Sequence, residues 1–355
     1  MFVGANYKLI KEKEVSLDKS FFTRNTNITA KVICDSISEQ GVRLTTFEIE
    51  YPRIVMSEFN TMRAISKNSS SSRAIPVSKM LEHTKNINLK PIYFGSKKSG
   101  MQAGDELVGE DLQYAKSTWE SALHSMVHSA KILDECGVAK EVTNRLVEPF
   151  QLVKVVCTAT DWNNFFNLRL HPDADPNICM LAYKMYEAMQ ESKPIELKAG
   201  EWHLPYVGFY RVKSGRGFDC VEYFTGVVGT ESYHILTLEQ AIKLSAASCA
   251  SVSYRTEGMT LEKADKIFDM LIKAEVVHSS PLEHCATPVK PKFSELGKVR
   301  VNCSEPQSWE EGVTHMNKQG QLCSGNLRGF IQYRHLIPNN TNWNFDYNER
   351  MELFK

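Results

Sequence analysis

Between Asp111 and Gly137 the apolar residues Leu112, Ala115, Trp119, Ala122, Met126, Ala130 and Leu133 recur at steps of three and four. That is the period of one face of a long helix, and Gly137 is a suitable C-terminal cap. A second helix is predicted from about Pro176 to Glu191, with Ile178, Leu181, Ala182, Met185 and Met189 on its apolar side and Pro194 closing it. A third opens at Thr237 with the capping box Thr-Leu-Glu-Gln240, and a fourth follows Thr260. The stretch Arg43 to Tyr51 alternates instead, with Phe47, Ile49 and Tyr51 on one face and Glu48 and Glu50 on the other, until Pro52 interrupts it. This is a half-buried strand. Helices and short strands without a regular βαβ alternation point to an α+β fold, an antiparallel or mixed sheet with long packed helices. No G-x-G-x-x-G is present, so a Rossmann site is not supported.

The 355 residues carry 42 Lys+Arg against 42 Asp+Glu, a net charge of zero that excludes a general polyanion binder such as a bulk nucleic-acid partner. Hydrophobic residues make up 42% and charged residues 24%, as in a folded globular chain. The nine Cys are scattered, without a CxxC pair or zinc spacing, so no metal site is expected and a reduced, cytoplasmic setting fits best. The N-terminal MFVGANYKLIKEKE lacks an apolar core, and no stretch approaches the roughly 18 apolar residues of a membrane span. The expectation is a soluble, untargeted protein. Ser192 to Gly217, rich in Pro, Gly, Lys and aromatic residues, is the candidate boundary between halves 1–205 and 206–355 of one integrated domain. Within it, Gly200-Glu-Trp-His-Leu-Pro205 is too apolar for a loose linker.

The only low-complexity tract is Ser69 to Ser72, and composition alone reads four serines as flexible linker. Its flanks carry a different reading. In Thr61-Met-Arg-Ala-Ile-Ser-Lys-Asn-Ser-Ser-Ser-Ser-Arg73 the hydroxyls, an amide and the cations Arg63, Lys67 and Arg73 converge directly after a predicted strand. Hydroxyl and backbone N–H donors can wrap phosphate oxygens while a guanidinium adds a bidentate contact. The Walker spacing is absent, so a small mononucleotide-like ligand is the natural guess.

The same segment resembles the signature R-H-R-x-x-S-x-N-E-x-S-x-R of the flavin-dependent thymidylate synthases. Arg63, Ser66, Asn68, Ser71 and Arg73 fill five of its eight fixed positions; Thr61, Met62 and Ser69 stand where the family has Arg, His and Glu. Asn144-Arg-Leu-Val-Glu-Pro149 is similar to the family segment whose Arg, here Arg145, contacts the nucleotide. Asp161-Trp-Asn-Asn-Phe-Phe-Asn-Leu-Arg169 is similar to N-F-x-x-L-R, placing Asn164 at a flavin-contacting position and Arg169 on the activating arginine; His171 to Ile178 resembles the segment that follows. For Arg145 and Arg169 a solvated helix-surface cation is the competing reading. Two segments that precede the signature in short family members follow it here, namely Ala250-Ser-Val-Ser-Tyr-Arg255 and His278-Ser-Ser-Pro-Leu-Glu-His284. The order is permuted, and His278 and Ser280 fall on flavin-contacting positions. His284 reads more readily as a structural histidine, and Gly325 to His335, a mixture of Arg, Gln and aromatics, has no assigned role.

The resemblance covers roughly residues 43–190 and 249–288, and implies methylation of dUMP at C5 with methylenetetrahydrofolate as carbon donor, FAD as carrier and NADPH as reductant. Under it, Ser69, Ser70, Ser71, Arg73 and Arg145 hold the nucleotide, with Arg169 binding and activating the pyrimidine. Thr61, Arg63, Asn164, His278 and Ser280 line the flavin. No protein nucleophile is required, and no Cys sits in an evidently activating neighbourhood. A homo-oligomer is expected on the same ground, although the permuted half could complete the site within one chain. The departures at Thr61, Met62 and Ser69 keep two alternatives open: flavin-dependent modification of another kind, such as hydroxymethylation of dUMP or dCMP, and a nucleotide-binding protein without catalysis.

Overall fold

The computed structural model describes residues 17–213, 219–226, 229–252, 258–274, 276–290, 306–341 and 345–354. Strands β1 (Thr29–Ser38) and β2 (Arg43–Pro52) form a hairpin; the short helix α1 (Met56–Asn60) leads into β3 (Ser66–Ser69). Helices α2 (Val77–Ile87), α3 (Gly109–Glu135) and the single turn α4 (Lys140–Thr143) follow, then β4 (Leu152–Ala159), α5 (Asn163–Arg169), α6 (Pro176–Glu191) and β5 (Ile195–Leu197). The second half holds β6 (Gly208–Lys213), β7 (Asp219–Thr225), β8 (His234–Leu236), α7 (Leu238–Ala250), α8 (Leu261–Ile272) and β9 (Ala286–Pro288). It ends with β10 (His315–Met316), β11 (Leu322–Ser324), β12 (Leu327–Arg328), β13 (Phe330–Gln332) and α9 (Tyr347–Glu352).

The central sheet has the order β3-β4-β2-β1-β5, antiparallel except for the parallel pair β1 and β5. This is the mixed sheet of an α+β fold, as expected. Its two faces differ in chemistry because neighbouring residues on a strand point to opposite sides. Phe47, Ile49 and Tyr51 of β2 join Val153, Val155, Cys157 and Ala159 of β4 against Phe59, Phe165 and the buried residues of α6. The other face carries Ser36, Thr46, Thr158 and Glu48, and the second half lies over it: Tyr206 donates to Glu48 at 2.7 Å, and Val156 packs with Cys249 and Val252. Pro52 does not interrupt β2 but is its last, buried residue, paired with Leu152; lacking an N–H, it suits the end of a ladder.

Helix α6 spans the predicted residues and α7 starts with both arms of the predicted capping box in place. Thr260 caps α8 as expected. Gly137 ends α3 in the left-handed conformation, φ +77°, where its N–H reaches Asp134 O and that of Val138 reaches Leu133 O. The buried stripe of α3 is Leu123, Val127 and Ala130, flanked by Trp119 and Met126, whereas Ala122 is exposed. The helix buries only a narrow seam, and the larger Leu123 takes the place the periodicity offered to Ala122. That seam packs on Val147 and Phe150, so α3 braces the segment that carries Arg145.

Ser192–Gly217 does not run as a linker through its described part: β5 joins the sheet, and Trp202, His203 and Leu204 are buried. No helix among the described residues is long and apolar enough to cross a membrane.

Candidate functional site

The serine tract is structured. Ser69 ends edge strand β3, and Ser70 bonds to both sides of Lys154: its N–H to the carbonyl at 2.8 Å and its hydroxyl to the N–H at 3.1 Å. Ser72 donates to Glu148 at 2.7 Å, and Arg53, at the end of β2, reaches Ser70 O at 3.1 Å and Glu148 at 3.7 Å. Arg53 is largely buried, and desolvation lowers its pKa while Glu148 opposes the shift. A charged network behind the tract therefore fixes its backbone. The hydroxyls of Ser70 and Ser72 turn inward, while Ser69 and Ser71 are exposed.

Arg73 and Arg145, 72 positions apart, come to one groove through a third residue. Asn144, fully buried, donates from one amide nitrogen to Ser72 O at 2.8 Å and Ile75 O at 2.9 Å. This stitches the start of the Arg145 segment to the turn carrying Arg73. An open groove of about 540 Å³ is lined by Arg73, Glu141, Val142, Arg145 and Leu146. A neighbouring one of about 460 Å³ adds Ser71, Ala74, Ala139 and Lys140. Both arginines are exposed, and Arg73 rests 3.5 Å from the Glu141 carboxylate. An exposed pair of this kind contributes little and exchanges readily for a better anion.

The other candidates lie at the opposite end of β3. Arg169, at the end of α5, points an Nη2 at Thr61 Oγ1, 3.2 Å away, and its buried Nε has no partner among the described residues. Thr61 itself donates to Glu58 O at 2.7 Å. Arg63 and Asn164 are exposed, as are His278 and Ser280. The 3₁₀ turn Ser280–His284 packs beside β3 and β4, so the His278–His284 segment lies against the strand that carries Ser66 to Ser69. Lys67 lies between, donating to Met62 O with its ammonium 5.4 Å from the Phe59 ring; burial lowers its pKa, and Arg63 adds to the shift. Of the Ala250–Arg255 segment, residues 253–255 fall outside the described residues, as does the N-terminal stretch 1–16.

Two further features escaped sequence reasoning. A buried polar chain joins the halves: His284 Nδ1 to Thr158 at 2.8 Å, Thr158 to Thr46 at 2.7 Å, Thr46 to His203 Nε2 at 2.7 Å, and His203 Nδ1 to Ser36 at 2.8 Å. Burial pushes both imidazoles down to about 3, so both are neutral at ordinary pH; for His203 the neighbouring His284 adds to the shift. His284 is thus structural through Nδ1, while its buried Nε2 is unpaired among the described residues. The second feature is the segment 324–335, which docks on the signature strand through Asn326 and Gln332. Its mixture of amides and cations was visible in the sequence, but its target was not.

Burial leaves the interior thiols unsuited to nucleophilic attack: desolvation raises Cys179 to about 11 and Cys285 to about 12, and pushes Cys34 and Cys157 up as well. No group of three or more metal-capable side chains is found among the described residues.

The arrangement defines an α+β protein with an anion-suited groove at one end of an edge strand and a polar seam at the other. Residues 36–195 match the family described as thymidylate synthase complementing protein, so the resemblance read from the signature is shown over that stretch. The permuted block 249–288 lies outside the matched residues. Among solved structures, a UMP/dUMP methylase PolB from Streptomyces cacaoi bound with 5-Br UMP is similar at 15% identity and a TM-score of 0.38, over 47% of this chain and 90% of that one. The same methylase with 5-Br dUMP gives 14% identity and a TM-score of 0.37, over 47% and 92%. No curated protein matches the chain.

Proposed function

We propose that this protein is a flavin-dependent thymidylate synthase that methylates dUMP at C5, with methylenetetrahydrofolate as carbon donor and NADPH as reductant. The observation that carries the reading is the shared groove of Arg73 and Arg145 beside Ser71, inside the residues that match the family. A nucleotide phosphate displaces the Glu141 carboxylate from Arg73 and takes charge-assisted bonds from both guanidinia. Ser71 lines the groove and adds a hydroxyl, whereas Ser69 is exposed at the end of β3 outside its lining and Ser70 contributes by fixing the backbone.

The chemistry of the donor set fits FAD. Arg63 has no ion pair among the described residues, and Asn164, His278 and Ser280 present an amide, an imidazole and a hydroxyl to solvent. The buried Nε2 of His284 and Nε of Arg334 also lack partners there. These residues, with Thr61, would hold the flavin, which supplies the hydride and one-carbon carrier chemistry when bound. What falls to the chain itself is to orient the pyrimidine, exclude water and stabilise charge on the uracil carbonyls. Arg169 is suited to the last of these, because its Nε is buried and unpaired among the described residues, and a fixed cation against an enolate oxygen lowers a barrier by several kcal/mol. Protein nucleophiles play no part. The two halves, 1–205 and 206–355, work as one unit, a reading supported by the Tyr206–Glu48 and Ser66–Asn326 bonds and by the Thr158–His284 link of the buried chain. Homo-oligomeric assembly and a cytoplasmic setting belong to the same proposal.

Arg169→Ala is expected to lose turnover, roughly a hundredfold or more, while keeping the flavin absorbance of the purified protein. Near-normal thymidylate formation by that variant, or wild-type protein that takes up no flavin, overturns the proposal.

A further inference from the structure

One short segment of the second half grips both the start of β3 and the turn into α5. Asn326 Oδ1 accepts from Ser66 Oγ at 3.0 Å and from Gln332 Nε2 at 2.8 Å, while its Nδ2 donates to Ala64 O at 3.0 Å. Ser66 and Gln332 are almost fully buried, whereas the bond to Ala64 lies at the surface. Two residues on, the Arg328 N–H donates to Thr160 Oγ1 at 3.1 Å and its guanidinium holds both oxygens of Asp161, at 2.9 and 3.3 Å. Ala64 and Ser66 belong to the signature; Thr160 and Asp161 form the turn into α5, which carries Asn164 and Arg169.

The backbone around Asn326 is built for this grip. Gly325 has φ +55°, and a Cβ there would lie 2.6 Å from Gln332 Oε1 and 3.0 Å from His335 Nε2. Only glycine lets the chain turn so close to the Gln332 amide. Gln332 is anchored in turn by its N–H to Ser324 Oγ at 3.1 Å and by the pairing of β13 with β9. The contacts bridge some 260 positions of sequence, so nothing local in the first half could substitute for them.

We infer that Asn326 and Arg328 are positioning residues: they form a clamp that fixes the signature strand relative to α5, and so sets where Arg169 stands against the bound pyrimidine. The inference rests on the reading of the site as a nucleotide-modifying one. The clamp does not touch the groove of Arg73 and Arg145, which lies at the far end of β3. It therefore affects the reacting geometry and not the phosphate contacts.

Steady-state turnover and amide hydrogen exchange on the full chain test this together. Each net hydrogen bond is a factor of roughly five or more, so Asn326→Ala is expected to lower kcat about tenfold or more while KM for dUMP stays within about twofold. Exchange at residues 64–69 and 161–169 accelerates, with the rest of the chain unchanged. Arg328→Ala, a milder change at a partly exposed ion pair, accelerates exchange in 161–169 alone and lowers kcat less. A folded Asn326→Ala protein with unchanged kcat, or one in which only KM rises, overturns the clamp. If wild-type protein neither binds nor turns over dUMP, the nucleotide reading falls by itself, and exchange still decides the clamp: unaltered exchange at both segments in both variants refutes it.

Discussion

The two faces of the central sheet are built on opposite principles. One is a dry apolar layer, where Phe47 meets Trp162 edge-on at 4.9 Å and Phe59 meets Phe165 at 5.7 Å. The other buries hydroxyls and imidazoles, and is held by a chain of hydrogen bonds between residues far apart in sequence, the last of which reaches His284 of the second half. The apolar face gains stability in proportion to the area removed from water and needs no fixed partner geometry. The polar face contributes less net energy per contact, but a misaligned partner leaves a buried group unsatisfied. The difference suits what each face does, since the first makes the fold and the second fixes where the second half sits over β3 and β4.

Substitutions can separate the two. The largest effect is expected on the apolar face, where Phe47→Ala empties a fully buried ring position and costs about 3–5 kcal/mol by chemical denaturation. A loss under about 1 kcal/mol would show that this layer is not the principal source of stability. The polar face responds to pH instead. Burial lowers the folded pKa of His203 and His284 to about 3, below the unfolded value near 6.5. Between those values the unfolded chain binds the extra protons, so the contribution is complete above about pH 6.5 and falls as pH drops towards 3. Each imidazole accounts for up to about 1.4 kcal/mol per pH unit in that window. His284→Gln should therefore make the acid limb shallower by about that slope, read as unfolding free energy at a series of pH values. An unchanged slope would mean that His284 is already charged, or open to water, in the native protein.

How much of this was legible in the sequence follows the same division. The apolar face and its helices could be read because periodicity is local: Ile178 to Met189 and Phe47 to Tyr51 announce their own elements. The signature spacing was legible as well, and the family resemblance it carries is what put forward Arg73, Arg145 and Arg169, whose roles stay part of the proposal. The directions of individual hydroxyls were not readable, since Ser70 and Ser72 turn inward only because Lys154 and Glu148 stand behind them. His203 could not be paired with Thr46 either, because the partners lie 157 positions apart and a lone histidine beside a tryptophan carries no spacing signal. Asn326 was missed for the same reason, although the unusual composition around it was visible.

The proposed reaction is tested most directly by anaerobic incubation of the full chain with dUMP, methylenetetrahydrofolate, FAD and NADPH, followed by mass analysis of the nucleotide. The expected product is heavier than dUMP by one methylene and identical to thymidylate. Unaltered dUMP, a hydroxymethylated base, or conversion only when dCMP replaces dUMP would contradict it.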